Sequence, residues 1–253
     1  MELPLFPLHT VLCPGIALPL HIFEERYREL VRHCIDTSSP FGVILIRDGR
    51  EVGGGTISFS AVGTMAEVRR VRRYRDGRFD LLVVGTKRFA IESVATDERP
   101  YLVAEVGELE EVVGDEEASR SLANRAARRF VTYLELLQPR DGETADEVDV
   151  RVELETEAAV TGDPAAAGDD SSLRAGEGTE RRVVIPDDPT TLSYLLAGII
   201  QVDLPRRQAL LEADTTEDRL RDLLGLIERE IAYLRRRWRA FTPGPQNLGP
   251  RGS

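Results

Sequence analysis

The chain has 253 residues, 42% of them apolar and 30% charged, with a formal net charge of −11. That balance describes a globular chain of one large or two modest domains, with enough apolar mass for a real core. It contains no run of eighteen apolar residues, so a membrane-spanning helix is excluded.

The opening MELPLFPLHTVL carries Glu2 where a signal peptide needs basic residues, and the two cysteines, Cys13 and Cys34, make no disulfide framework. The expected location is a reducing cytoplasm. Lys87 is the single lysine and lies in GTKRF, so the P-loop pattern is absent and a P-loop nucleotide hydrolase is excluded. A Ser–Lys dyad would have to use that same strand-like residue. The acidity is local: residues 1–110 hold 14 basic and 16 acidic side chains, whereas residues 141–180 hold 2 and 13.

The turn formers Pro14-Gly15 precede an extended ALPL, and Phe23, Tyr27, Leu30, Val31 and Cys34 then recur as one face of a helix. Glu24 and Glu25 fall in its first turn, where the helix dipole favours negative charge. FGVILIR at 41–47 is a strand-length apolar run, and GGG at 53–55 reads as a turn or bulge before TISFSAVG. Asp76-Gly77 marks a hairpin inside AEVRRVRRYRDGRFDLLVVG, and TKRFAIESV and YLVAEVGEL complete the series. Short strands at this spacing predict a small sandwich or barrel.

From about residue 116 the apolar period becomes helical, with Leu122, Ala126, Phe130, Tyr133, Leu134 and Leu137 on one stripe ending before Pro139. Residues 141–182 are acidic and aromatic-free, a composition that buries too little apolar area to offset chain entropy, so a disordered or weakly ordered insertion is expected, with a short helix around 147–160 as the alternative. Asp188-Pro189, Asp203 and Thr215 with Asp218 are the start signals of three further helices. Leu220, Leu223, Leu224, Ile227, Ile231, Leu234 and Trp238 line the last of them. The expected division is 1–114 as the β part, 115–240 as the helical part with its insertion, and 241–253 as a Pro/Gly-rich tail.

No catalytic, metal or cofactor site emerges. His9, Cys13, His21, His33 and Cys34 match no zinc spacing, and nothing marks an oxyanion hole beside Cys13 and His21. Arg69, Arg70, Arg72, Arg73, Arg75 and Arg78, with Tyr74 among them, could track a phosphate backbone. Strand alternation would set Arg70 and Arg72 against Arg69, Arg73 and Arg75, so a solvated hairpin is the plainer reading.

LPLFPLHTVLCPGIALPLHIFEERYRELV, followed by FGVILI, VGTMAEV, DGRFDLLVVGTKRF and YLVAEV, resembles the N-terminal, substrate-binding domain of the Lon protease family. DPTTLSYLLAGIIQVDLPRRQALLEADTTEDRLRDLLGLIEREIAYL is similar to the helical part that follows it. The resemblance implies an α+β fold: a PUA-like β pseudo-barrel with one packed helix, followed by a C-terminal helical bundle. It also implies recognition of unfolded or apolar polypeptide segments, without the ATPase and peptidase that accompany this region in Lon. Such a module would act as an adaptor or quality-control accessory beside a separate protease or chaperone. The expected groove is edged by Leu18, Pro19, Phe23 and Tyr27, residues suited to holding an extended peptide. Because PUA-like folds include RNA-binding modules, the arginine hairpin supplies the alternative function.

Overall fold

The computed structural model describes residues 1–48, 58–95, 99–137 and 185–241. The glycines at 53–55, the insertion at 141–182, the tail from residue 242 and the side chain of Trp238 lie outside what is described.

Among the described residues there are seven strands: β1 (Glu2–Leu8), β2 (Ala17–Ile22), β3 (Phe41–Asp48), β4 (Ser58–Phe59), β5 (Val62–Arg73), β6 (Phe79–Ala95) and β7 (Val103–Glu108). Helix α1 (Glu25–Thr37) separates β2 from β3. β1 pairs antiparallel with β7 and parallel with β3, while β7, β6, β5 and β3 are joined in that order. The sheet therefore closes on itself as a barrel, which removes most of its open edges. β2 stands outside this ring and runs antiparallel along the first part of β6.

DGRFDLLVVG and TKRFAIESV read as two strands in the sequence, yet they form the single strand β6. Gly85 does not break it. Its missing side chain admits the chain at Cys13, since a Cβ at Gly85 would stand 2.5 Å from the Cys13 carbonyl oxygen. The Gly85 N–H donates to the Ile16 carbonyl at 3.0 Å, and Gly15 donates to the Gly85 carbonyl at 2.8 Å. These bonds tie the Pro14-Gly15 turn, and hence the start of β2, to β6.

Helix α1 buries Tyr27, Leu30, Val31 and Cys34. Its Tyr27 ring lies 4.2 Å from that of Phe6, centre to centre. The helix begins later than the apolar stripe suggests: Glu24 is its N-cap, so Phe23 lies outside it and is exposed. The periodic match from Phe23 to Tyr27 is a coincidence of spacing at a strand–helix junction.

Four helices follow: α2 (Glu116–Leu137), α3 (Pro189–Ile199), α4 (Leu204–Glu212) and α5 (Thr216–Phe241). Asp188 accepts the Thr191 N–H at 2.7 Å, and Asp203 accepts that of Arg206 at 2.9 Å. Thr215 accepts the Asp218 N–H at 3.0 Å, so each start signal is realised as a cap. Phe130 and Tyr133 of α2 and Leu220, Leu223 and Ile227 of α5 share one cluster with Val11, Cys13 and Leu45. Each side chain of that kind contributes about 1.5–3 kcal/mol on burial, so the bundle and the barrel stabilise each other. Arg88 of β6 crosses the same boundary, donating to the Leu211 and Ala213 carbonyls at 2.9 and 2.8 Å.

Candidate functional site

Antiparallel partners project to the same side of a sheet, so the pairing of β2, β6 and β5 defines an outer face row by row. Ala17, Val84 and Glu67 form one row, then Pro19, Leu82 and Arg70, then His21, Asp80 and Arg72. The alternate rows, including Leu18 with Val83 and Leu20 with Leu81, turn into the core beneath α1. A register irregularity between Val68 and Arg70 leaves Arg69 as the extra residue on β5. That bulge lets Val68 and Val71 share the inner face while Arg70 and Arg72 share the outer one.

At the hairpin end of this face the side chains form a connected cluster. Asp80 uses one carboxylate oxygen for His21 Nδ1 at 2.6 Å and the other to accept the Tyr74 hydroxyl. The His21 ring stacks on Phe23, with centroids 6.2 Å apart, and meets Tyr74 edge-on at 6.3 Å. Arg72 and Arg78 lie over the Tyr74 ring at 5.3 and 5.5 Å. The Tyr74 hydroxyl, and then His21, hold the Asp80 carboxyl below the usual carboxylate range. The same bond, made to a carboxylate, pushes the Tyr74 phenol up.

The hairpin is clasped from below. Arg28 of α1 donates through Nε to the Gly77 carbonyl at 2.8 Å and through a terminal nitrogen to that of Asp76 at 3.2 Å. Gly77 has φ +84°, and a Cβ there would run into the Arg28 guanidinium, so both the turn and the clasp require glycine. Two ring–ring contacts and two cation–π contacts are thus set on a hairpin clasped from below. Just past the end of β2, at the border of this face, Phe23 remains 62% exposed.

The four groove residues expected from the sequence do not share one surface. Pro19 and Phe23 are exposed, Leu18 packs partly against the core, and Tyr27 is only 5% exposed beneath α1. Tyr27 is a core residue because α1 turns it toward Phe6, and Leu18 turns inward because β2 alternates. Of the arginines, Arg70, Arg72 and Arg78 border the outer face, Arg73 lies over Phe79 on the opposite side, and Arg69 pairs with Glu67 at 3.5 Å. Arg75 is exposed at the tip.

His21, Asp80, Tyr74 and Leu82 complete this surface; the sequence weighed His21 only beside Cys13 or a metal and Tyr74 only within the arginine cluster, and it singled out neither Asp80 nor Leu82. β2 and β6 are far apart in the chain, and only their register brings His21 to Asp80. Cys13 is buried away from His21, and desolvation pushes its thiol up to about 11. No group of three or more metal-ligating side chains occurs among the described residues. Lys87 is exposed and paired with Glu108 at 2.6 Å.

The fold is thus a barrel joined to a helical bundle through a shared core, with an exposed aromatic surface at one end of its sheet. The chain belongs to the family of the ATP-dependent protease La (LON) substrate-binding domain, which matches residues 2–229. Membership gives it a substrate-binding role. It is 25% identical over 234 residues to Lon protease 2 of Myxococcus xanthus, covering 92% of this chain and 24% of that one. It is 29% identical over 124 residues to the Lon protease of Flavobacterium johnsoniae, covering 49% and 15%. The chain thus spans about a quarter or less of these relatives' length. Among solved structures, a Lon N-terminal domain protein from Xanthomonas campestris matches with a TM-score of 0.55 and 26% identity over 89% of this chain and 98% of its own. The N-terminal domain of the Mycobacterium avium complex Lon protease shares the fold, with a TM-score of 0.54 at 18% identity over 90% and 98%.

Proposed function

We propose that the chain recognises unfolded or apolar-rich polypeptide segments on the outer face of β2, β6 and β5, with Phe23 as its anchor. It does so without catalysis of its own, as a cytoplasmic adaptor or quality-control accessory that serves a separate protease or chaperone. The exposure of Phe23 within a rigid cluster carries this reading. A lone exposed aromatic is ordinary, but one stacked on a histidine that is itself fixed by a carboxylate is preorganised and loses little entropy on binding. Pro19 and its cross-strand partner Leu82 continue the apolar surface from β2 onto β6, the way a peptide crossing toward β5 would run. Burying Phe23 and one or two neighbours, at about 1.5–3 kcal/mol each, suits a weak and exchangeable interaction.

The test is to map the site by amide NMR on the full chain while adding an uncharged, apolar-rich peptide. Perturbations confined to residues 17–23 and 67–82 are expected. Perturbations confined to the α2–α5 side would overturn the assignment.

A second reading, single-stranded RNA, is favoured by the placement of Arg72 and Arg78 over Tyr74, since bases stack on such platforms. It makes the opposite prediction for salt. Phosphate contacts release counterions and weaken steeply as salt rises, whereas apolar burial does not.

A further inference from the structure

We propose that this face selects polypeptide segments whose aromatic or branched apolar residue is accompanied by aspartate or glutamate about three positions away. The inference rests on the polypeptide-binding reading and adds the chemical class of the segment. It starts from a local reversal of charge. Residues 67–80 carry six arginines against Glu67, Asp76 and Asp80, a local excess of cations in a chain whose net charge is −11.

Two of the hairpin's own carboxylates are spent on arginines other than Arg72, and Asp80, beside Arg72 on the same row, keeps its charge while its oxygens are held by other groups. Both Asp80 oxygens are used, by His21 and Tyr74; Asp76 pairs with Arg78 at 2.8 Å, and Glu67 with Arg69 at 3.5 Å. Arg72 stands on the same row as His21 and Asp80 and lies over the Tyr74 ring. A guanidinium stacked in this way uses its π-face and keeps in-plane N–H groups for an acceptor, in the geometry that suits a carboxylate. The acidic residues nearest Phe23 do not cancel this field, because Glu24 pairs with Arg26 at 2.9 Å and Glu25 with Arg28 at 2.7 Å.

Geometry sets the spacing. His21, Asp80 and Arg72 occupy three adjacent strands, so Arg72 lies about two inter-strand spacings, roughly 10 Å, from the β2 row that leads to Phe23. An extended peptide covers that distance in about three residues. A segment anchored by its apolar side chain on Phe23 and Pro19 therefore brings a residue three positions away to the arginine border. An acid there is attracted and a base is repelled, which discriminates among segments of equal apolarity.

The experiment uses three fluorescein-labelled unstructured peptides with the same aromatic core and Asp, Ser or Lys at the three-residue offsets. Each is titrated into the full chain at low salt and read by anisotropy. The Asp peptide should bind at least about tenfold more tightly than the Lys peptide, with Ser between them. In an Arg72→Ser variant the three affinities should converge to within about twofold, while Phe23→Ala should weaken all three. Equal binding of the Asp and Ser peptides to the unaltered chain would overturn the acidic preference and leave polypeptide binding standing. Binding of none of the three would overturn the polypeptide reading itself. A single-stranded RNA that binds more tightly than every peptide and needs Arg72 would replace both.

Discussion

Arg219 of α5 places its guanidinium carbon 3.9 Å from the centre of the Tyr194 ring of α3, with no part of the arginine side chain open to solvent. Burial pulls its pKa down, and neighbours hold the guanidinium: Arg219 Nε donates to the Leu210 carbonyl at 3.0 Å, and Glu111 lies 3.6 Å away. Glu111 also accepts the Tyr194 hydroxyl at 2.6 Å and Arg88 Nε at 2.8 Å. One carboxylate beyond the last strand thus links the barrel, α3 and α5.

Removing the buried cation should be costly. Arg219→Ala leaves the Leu210 carbonyl without a donor and Glu111 without one of its cations, and broken buried pairs typically cost about 3–5 kcal/mol. Since Glu111 keeps 35% exposure, water offsets part of this, and a loss of roughly 2–3 kcal/mol is expected in urea unfolding. An unchanged midpoint would show that the hub contributes nothing to stability.

The bundle core gives a second test. Ile227 is fully buried between α5 and its neighbours, so Ile227→Asp puts a carboxylate into an apolar cluster with no partner. A loss of several kcal/mol is expected, enough to abolish cooperative unfolding. A soluble variant with native helical circular dichroism and an unchanged melting temperature would contradict the packing of α5.

The two buried thiols set a pH dependence. Burial pushes both Cys13 and Cys34 up to about 11. In the unfolded chain they ionise near their ordinary value, so between about pH 9 and pH 11 the unfolded state holds fewer protons than the native one. Stability from this source is complete below pH 9 and is lost as pH rises toward 11, by up to about 1.4 kcal/mol per pH unit for each thiol. Cys13→Ala should make the alkaline decline shallower; an identical slope would place the titration elsewhere.

Much of this architecture is local and therefore legible in the sequence. Asp188, Asp203 and Thr215 act on N–H groups within three residues, and Asp76-Gly77 closes a turn on its own φ preference. The buried face of α1 from Tyr27 to Cys34 follows its period for the same reason. The site is not local. Whether Leu18 or Pro19 faces outward depends on which strand β2 joins, and Arg70 and Arg72 share their row with β2 only because Arg69 bulges out of register. Phe23 fitted a helical stripe by spacing alone, and its exposure follows from Glu24 taking the N-cap. The hub at Glu111 escaped notice because its partners come from three separate elements, β6, α3 and α5.

Asp80 gives a test of preorganisation apart from contact. Asp80→Ala removes the shared anchor of His21 and Tyr74 while leaving Phe23 in place. On an exposed surface the melting temperature should move by no more than about 2 °C, yet peptide affinity should fall several-fold as the rings lose their fixed orientation. Unchanged affinity would mean that the cluster's rigidity has no part in binding.

Phe23→Ala decides most directly whether this face binds polypeptide. An uncharged, unstructured, apolar-rich peptide is titrated into the unaltered chain and the variant at about 50 and about 200 mM salt, with folding confirmed by circular dichroism. Micromolar binding to the unaltered chain, about −8 kcal/mol, should change little between the two salt concentrations and weaken at least tenfold in the variant. Equal affinity of a folded Phe23→Ala protein, or the absence of peptide binding beside a steeply salt-dependent affinity for single-stranded RNA, would contradict it.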